Sequence, residues 1–194
     1  ERRKIRAFAV TEPSAGSDLG NQKTTAVDKG DYWLLNGAKI FITNGFYADT
    51  YFVTAVTDKS QRNRGISAFI VEKGTPGFTF GTKEKKMGIR GSATYELVFQ
   101  DCKIPKENLL GELGKGFKMA LITLDGGRIG VAAQALGIAQ SAIDHCKKYV
   151  TEHMQGDQRI SQYQFTQFEL ADMQTRVDAA RLLVYRAAQA KQDQ

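Results

Sequence analysis

The residues of this chain that could do chemistry fall into three groups. The first is the turn Thr11-Glu12-Pro13-Ser14-Ala15-Gly16-Ser17-Asp18, which follows the short apolar run Ala7-Phe8-Ala9-Val10. A strand that runs into such a turn presents hydroxyls and backbone N–H groups from a rigid edge, where they can hold a polar ligand; the same composition also makes an ordinary surface turn. The second is Thr43, at the end of Phe41-Ile42-Thr43 and just ahead of Asn44-Gly45, where a β-sheet threonine before a turn has a purely structural reading as well. The third is Asp125 and Arg128, three apart in a helical pattern and so on one face. As a surface ion pair they would contribute only about 0.2–0.5 kcal/mol. Between them lie Gly126 and Gly127, each of which costs a helix about 1 kcal/mol against alanine, so the sequence places glycine where something needs room.

Other chemistries find no support. His145 and His153 lack a second histidine at ligand spacing, and no metal site is expected. Cys102 and Cys146 stand 44 residues apart without a Cys-x-x-Cys pair and read as reduced thiols of an intracellular protein. The net charge of +6 suits an anionic ligand, yet Lys and Arg are scattered, so no nucleic acid is expected. No apolar run approaches the length of a membrane span. Hydrophobic residues at 42% and charged residues at 25% are ordinary for a globular domain.

The elements that must position these groups divide in two. Up to about residue 112 the chain reads as short β-strands between turns. Tyr32-Trp33-Leu34-Leu35 meets Asn36-Gly37, a strong hairpin signal, and Ala38 to Thr43 is the expected return strand. Glu1 to Arg6 reads as a frayed, charged start, and Asp58 to Arg64 as a surface loop. From 113 onward a helical period takes over. Phe117, Leu121, Leu124, Ile129, Ala132, Leu136, Ala139, Ile143 and Cys146 mark one helix over Lys115 to Val150; Thr151 to Ser161 is a loop; Phe165, Phe168, Met173, Val177, Ala180, Leu183 and Ala187 mark a second helix. The fold expected is α+β: an antiparallel β-barrel or sandwich over 1–112, then a long antiparallel helical hairpin over 113–194. The apolar stripes are wider than one partner needs, as in half of a four-helix bundle.

In order and separation, Phe8 to Ser17, Phe41-Ile42-Thr43-Asn44-Gly45, Met87-Gly88-Ile89-Arg90-Gly91-Ser92 and Leu124-Asp125-Gly126-Gly127-Arg128-Ile129-Gly130 resemble the acyl-CoA dehydrogenase family, and within it the short-chain (butyryl-CoA) branch. The resemblance covers nearly the whole chain. It implies a flavin enzyme in which a carboxylate takes the α proton of an acyl-CoA thioester while hydride passes from the β carbon to flavin N5. By position it implies FAD contacts from Phe8, Val10, Thr11 and Ser17, and from Phe41, Ile42 and Thr43, the Thr43 hydroxyl being directed at N5. Ser17, Asp125 and Arg128 become substrate contacts, and Thr11, Thr43 and Arg128 are expected around one cleft. His153, Gln155 and Gln164 fall where relatives reach the adenosine half of a neighbouring subunit's FAD.

Two departures matter. Some relatives place the catalytic glutamate where this chain has Gly127, and glycine abstracts no proton. The base is therefore expected beyond Gln194, with no catalytic residue inside the chain. Where short- and medium-chain relatives carry an arginine, two variable residues and Phe-Gly, this chain has His153-Met154-Gln155-Gly156-Asp157, an exchange expected to weaken FAD binding. Beginning at Glu1 and ending in a helical pattern, the chain reads as a middle domain plus two bundle helices of a longer protein, inactive by itself. A non-catalytic relative acting as a binding or oligomerisation module is the alternative. The partners implied are an acyl-CoA thioester, an electron-transfer flavoprotein and further copies in a dimer or tetramer; the compartment implied is a bacterial cytoplasm or a mitochondrial matrix.

Overall fold

Short apolar runs between Gly-, Asp- and Pro-containing turns fold into strands: β1 (Arg6–Ala9), β2 (Thr25–Asp28), β3 (Tyr32–Thr43), β4 (Thr50–Val56), β5 (Ile66–Glu72), β6 (Phe78–Lys83) and β7 (Thr94–Pro105). The computed structural model describes residues 4–193. These residues form two units that divide between Ile122 and Thr123. In the first, the seven strands make one curled sheet in the order β1-β4-β2-β3-β7-β6, with β5 added against β4. Its concave face buries Trp33, Leu35, Ile42, Tyr51, Val53, Phe69, Val71, Leu97 and Phe99.

The α+β class stands, with a mixed rather than wholly antiparallel sheet. β1 runs parallel to β4, from Arg6 opposite Thr50 to Ala9 opposite Val53, and Thr25 pairs parallel with Val56. The forty residues between β1 and β4 supply the long connection that a parallel pair requires. Asp49 fixes the start: its carboxylate accepts from the Ile5 N–H at 2.9 Å, and its own N–H donates to the Ile5 carbonyl at 2.9 Å. The expected frayed start thus already joins the sheet at Arg6; residues 1–3 of it lie outside the described residues.

The hairpin predicted at Asn36-Gly37 is absent, because β3 runs straight through it as a twelve-residue strand. The hairpin lies instead at Asp28-Lys29-Gly30-Asp31. There the Lys29 N–H donates to the Tyr32 carbonyl, the Gly30 N–H donates to Asp28 Oδ1, and Gly30 has φ +86°. Asn36 serves a bulge against β7: its Oδ1 accepts the Asp101 N–H at 2.8 Å, where Asp101 is the extra residue on β7. Gly37 is glycine because β2 passes close by; a Cβ there would lie 2.4 Å from Thr24 Oγ1 and 2.6 Å from Thr24 Cα, on a backbone with φ +148°. Gly37→Ala is expected to lower the unfolding free energy by about 2–3 kcal/mol in a urea titration, and a neutral result would show that β2 can shift freely.

The polar stretch predicted as a loop is a turn of 3-10 helix, Lys59–Gly65, which Asp58 caps by accepting from the Ser60 N–H at 2.9 Å. The two predicted helices form, as α1 (Gly116–Glu152), whose first turns belong to the first unit, and α2 (Gln164–Gln192). Their shared core is Leu136, Ile143 and Val177, with Ala139, Met173, Ala180 and Val184 against it. Between them, the expected loop contains a two-stranded ribbon, β8 (Met154–Gln155) and β9 (Gln158–Arg159), turned at Gly156 with φ +63°.

Candidate functional site

The Thr11 turn and the end of β3, which carry most of the candidate residues of the first unit, meet along one edge. Two contacts assemble it. The Ile40 N–H donates to the Thr11 carbonyl at 2.9 Å, which fastens the turn to β3. One step along β3, the register against β7 slips between Lys39 and Ile42, and Phe41 adopts φ +58°. This bulge reverses the phase of the strand: Ile42 turns into the core, and Phe41 and Thr43 turn outward. A bulky residue held in the left-handed region at an exposed bulge is the kind of strain that collects at binding sites. Phe41 is 59% exposed.

The turn after β3 is equally fixed. The buried Tyr51 hydroxyl donates into the carbonyls of Gly45 and Ala48 at 2.7 and 2.9 Å, and the Asn44 N–H donates to the Ala93 carbonyl at 2.8 Å. Thr43 is thus an exposed hydroxyl on an immobilised backbone. In the Thr11 turn, Glu12 and Ala15 exchange both N–H···O bonds at 3.0 Å, and Asn21 Nδ2 donates to the Ser14 carbonyl at 3.0 Å. Ser17 is exposed beyond it. Phe8 stacks on Phe52 with ring centroids 5.0 Å apart. The side chains of Val10 and Ile42 are buried, so these two offer a ligand only their backbone.

Beneath this edge lies a group that the sequence reading missed. Lys39 is fully buried, with Nζ within 3.3 Å of four oxygens: Glu12 Oε1 at 2.7 Å, Gln22 Oε1 at 2.9 Å, the Val10 carbonyl at 3.1 Å and Thr54 Oγ1 at 3.3 Å. Glu12 also accepts from the backbone N–H groups of Lys23 and Thr24 at 2.6 and 3.2 Å. Burial pushes the Lys39 ammonium down to about 8, against the pull of Glu12. Burial works to raise Glu12, but the charge of Lys39 and the surrounding hydrogen bonds hold its carboxyl below the ordinary range.

Beside the same turn, Asp18, Gly20, Asn21, Lys59, Arg62 and Arg64 line an open groove of about 660 Å³. Three cations on one wall make it hospitable to an anion.

In the second unit, Asp125 and Arg128 share a face of α1 as predicted, with Nε and Oδ1 4.0 Å apart and side chains 71% and 80% exposed, a loose pair available to a ligand. Gly126 and Gly127 leave α1 unbroken, and a Cβ at Gly127 would meet nothing within 4 Å. His153 stacks on Tyr149 at 3.7 Å, and its Nδ1 lies 3.0 Å from the Tyr149 carbonyl. Gln155 spends its carbonyl on the Tyr163 hydroxyl at 2.6 Å, and Gln164 is an exposed residue at the start of α2. Among the described residues no three His, Cys, Asp or Glu side chains are grouped to hold a metal, and no helix is long and apolar enough to cross a membrane. Burial pushes the Cys102 thiol up to about 11, which makes it a core residue rather than a nucleophile.

A curled sheet with this hydroxyl-bearing edge, followed by a long helical hairpin, places the chain in the acyl-CoA dehydrogenase family, an oxidoreductase family: residues 7–102 match its middle domain and residues 114–194 its C-terminal domain. Within the family the short-chain members are similar throughout. The short-chain-specific acyl-CoA dehydrogenase of Megasphaera elsdenii is 58% identical over 192 residues, which are 98% of this chain and 50% of that protein. The solved butyryl-CoA dehydrogenase of Megasphaera elsdenii superposes with a TM-score of 0.95 at 57% identity, over 98% of this chain and 50% of that one. A chain in a structure of the electron transferring flavoprotein of Acidaminococcus fermentans gives 0.94 at 61% identity, over 97% of this chain and 50% of that one. This chain therefore spans about half the length of the curated relatives it matches.

Proposed function

We propose that this chain forms the flavin- and thioester-binding part of a short-chain acyl-CoA dehydrogenase, with FAD as cofactor and butyryl-sized acyl-CoA as substrate. The observation that carries the reading is the junction between Thr11 and Ile40, which brings the turn and the bulge into one edge with Phe41 and Thr43 facing outward. Hydroxyls, backbone N–H groups and an exposed aromatic ring fit a flat, polar-edged ring system. FAD, when bound, supplies the hydride acceptor. Thr11 and Thr43 offer hydrogen bonds to its polar edge, and the bulge holds Phe41 against it. Ser17 and the cationic groove of Lys59, Arg62 and Arg64 receive the phosphate-bearing end of the thioester. Asp125 and Arg128 are substrate contacts on α1. The base for the α proton is placed outside the described residues.

The test is anaerobic titration of the FAD-loaded chain with butyryl-CoA, followed by flavin absorbance. FAD binding with a shifted visible band, weakened by the His153–Asp157 exchange, and no bleaching are expected. Failure to bind flavin at all would sink the reading, and bleaching above background would put the base inside the chain.

The exposed Ile138, Phe165, Phe168, Leu182 and Tyr185 of α1 and α2 support association with further copies, and an electron-transfer flavoprotein is proposed as redox partner. Sedimentation velocity is expected to show dimers or tetramers; monomer alone at micromolar concentration would contradict the proposed association.

A further inference from the structure

The Lys39 side chain hydrogen-bonds both residues that flank Thr11. Its Nζ donates to the carbonyl of Val10, immediately before Thr11, and to the carboxylate of Glu12, immediately after it, at 3.1 and 2.7 Å. It stands on β3 two residues ahead of Phe41, where the strand bulges, and next to Ile40, whose N–H holds the Thr11 carbonyl at 2.9 Å. Gln22 Oε1 and Thr54 Oγ1 also lie within reach of the ammonium, at 2.9 and 3.3 Å, and Thr54 Oγ1 donates to Gln22 Oε1 at 2.7 Å. A buried ammonium with four oxygen partners has one low-energy position, so whatever it grips is held at a fixed distance from β3.

We infer that Lys39 is a positioning residue for the cofactor: from beneath, it clamps the Thr11 turn to the bulged end of β3 and so sets the spacing between the two segments that face the flavin. The clamp acts through Thr11 and touches neither flavin nor substrate. It rests on the flavin reading above. Hydrophobic residues of the same size would fill the space but leave the Val10 carbonyl and Glu12 without a tether. Pairing by charge explains why a lysine occupies an inward position of a core strand, where unpaired ammonium groups are not tolerated.

The double variant Glu12→Gln, Lys39→Met tests this, because removing both charges avoids an orphaned one and preserves folding. Ile104→Ala, a core cavity at the opposite end of β7 from the Ile42–Tyr95 pair, serves as the destabilised control. Two readouts are taken on each folded protein: amide hydrogen exchange at Ile40, and FAD affinity by flavin fluorescence. The double variant is expected to exchange the Ile40 amide at least tenfold faster, with the β6–β7 ladder unchanged, and to bind FAD at least tenfold more weakly; Ile104→Ala is expected to change neither. Unchanged exchange at Ile40 would overturn the clamp, and faster exchange with unchanged FAD affinity would overturn its role in positioning. Equal losses of affinity in the control and the double variant would reduce Lys39 to general stability. Absence of FAD binding by the unsubstituted protein would overturn the flavin reading itself, and the positioning role with it.

Discussion

Replacing Lys39 by methionine is expected to lower the unfolding free energy by about 3–5 kcal/mol, and replacing Glu12 by glutamine at the same time to return most of that loss. The single substitution leaves a carboxylate buried with only the Lys23 and Thr24 amides for company. The double one removes the second charge and lets the Gln22–Thr54 hydrogen bond remain. Urea denaturation of the four proteins in the cycle gives the coupling directly. A single variant as stable as its parent would show the pair to be solvated rather than buried. The pH dependence has a definite sign. Lys39 holds its proton less tightly in the folded protein, at about 8 against an ordinary value of 10.5, so between these values the unfolded chain binds more protons and stability rises with pH. Glu12 is held below its ordinary 4.5, so its contribution is complete above that value and is lost as acid protonates the folded carboxyl. Above pH 10 the slope is opposed by Tyr51, which burial and the nearby Asp49 push up to about 12; the unfolded phenol ionises first and stability then falls. The groups around Lys39 are Glu12, Gln22, Thr54 and the Val10 carbonyl, so the rise from pH 8 should vanish in Lys39→Met and leave the acid limb altered.

How far the sequence revealed this arrangement depends on a single strand. The helices were legible because their apolar positions recur at helical spacing for tens of residues and no proline interrupts them. The turn at Thr11 and the segment at Thr43 were legible as motifs. Their meeting was expected only through the family resemblance, because a bond from Ile40 to Thr11 is set by the sheet and not by either segment alone. Asn36-Gly37 misled, since the same dipeptide that favours a tight hairpin also fits a bulge where a neighbouring strand crowds the backbone. Splitting β3 there hid its inward register: Trp33, Leu35, Gly37 and Lys39 alternate toward the core, so an uninterrupted strand would have exposed a lysine in need of a buried acid. The parallel pairing of β1 with β4 was beyond local pattern, because either direction satisfies a short apolar strand. The phase reversal at Phe41 was hidden for a related reason. A bulge is one extra residue, and periodicity alone cannot tell it from a polar substitution.

Gly127→Glu in the FAD-loaded chain is expected to produce reduction of the flavin by butyryl-CoA where the unsubstituted chain gives none, at a rate at least about a hundredfold above background. The argument begins with room. A Cβ at Gly127 meets nothing within 4 Å, so the new side chain enters α1 without a clash. Glutamate is a better helix former than glycine, by about 0.5 kcal/mol, so the substitution should also stabilise the helix slightly. Its carboxylate would leave α1 on a different face from the Asp125–Arg128 pair, with open space around its Cβ, and an exposed glutamate is ionised at neutral pH as a base must be. By the resemblance, this is the position from which some relatives take the α proton. Gly127→Gln separates the causes: it has the same length and the same gain in helix propensity but no basic oxygen. Bleaching by the glutamate variant alone assigns the step to proton abstraction at this turn of α1. Equal behaviour of the two variants, measured anaerobically in the visible flavin band, would show that the acyl chain does not pass the Gly127 face of α1.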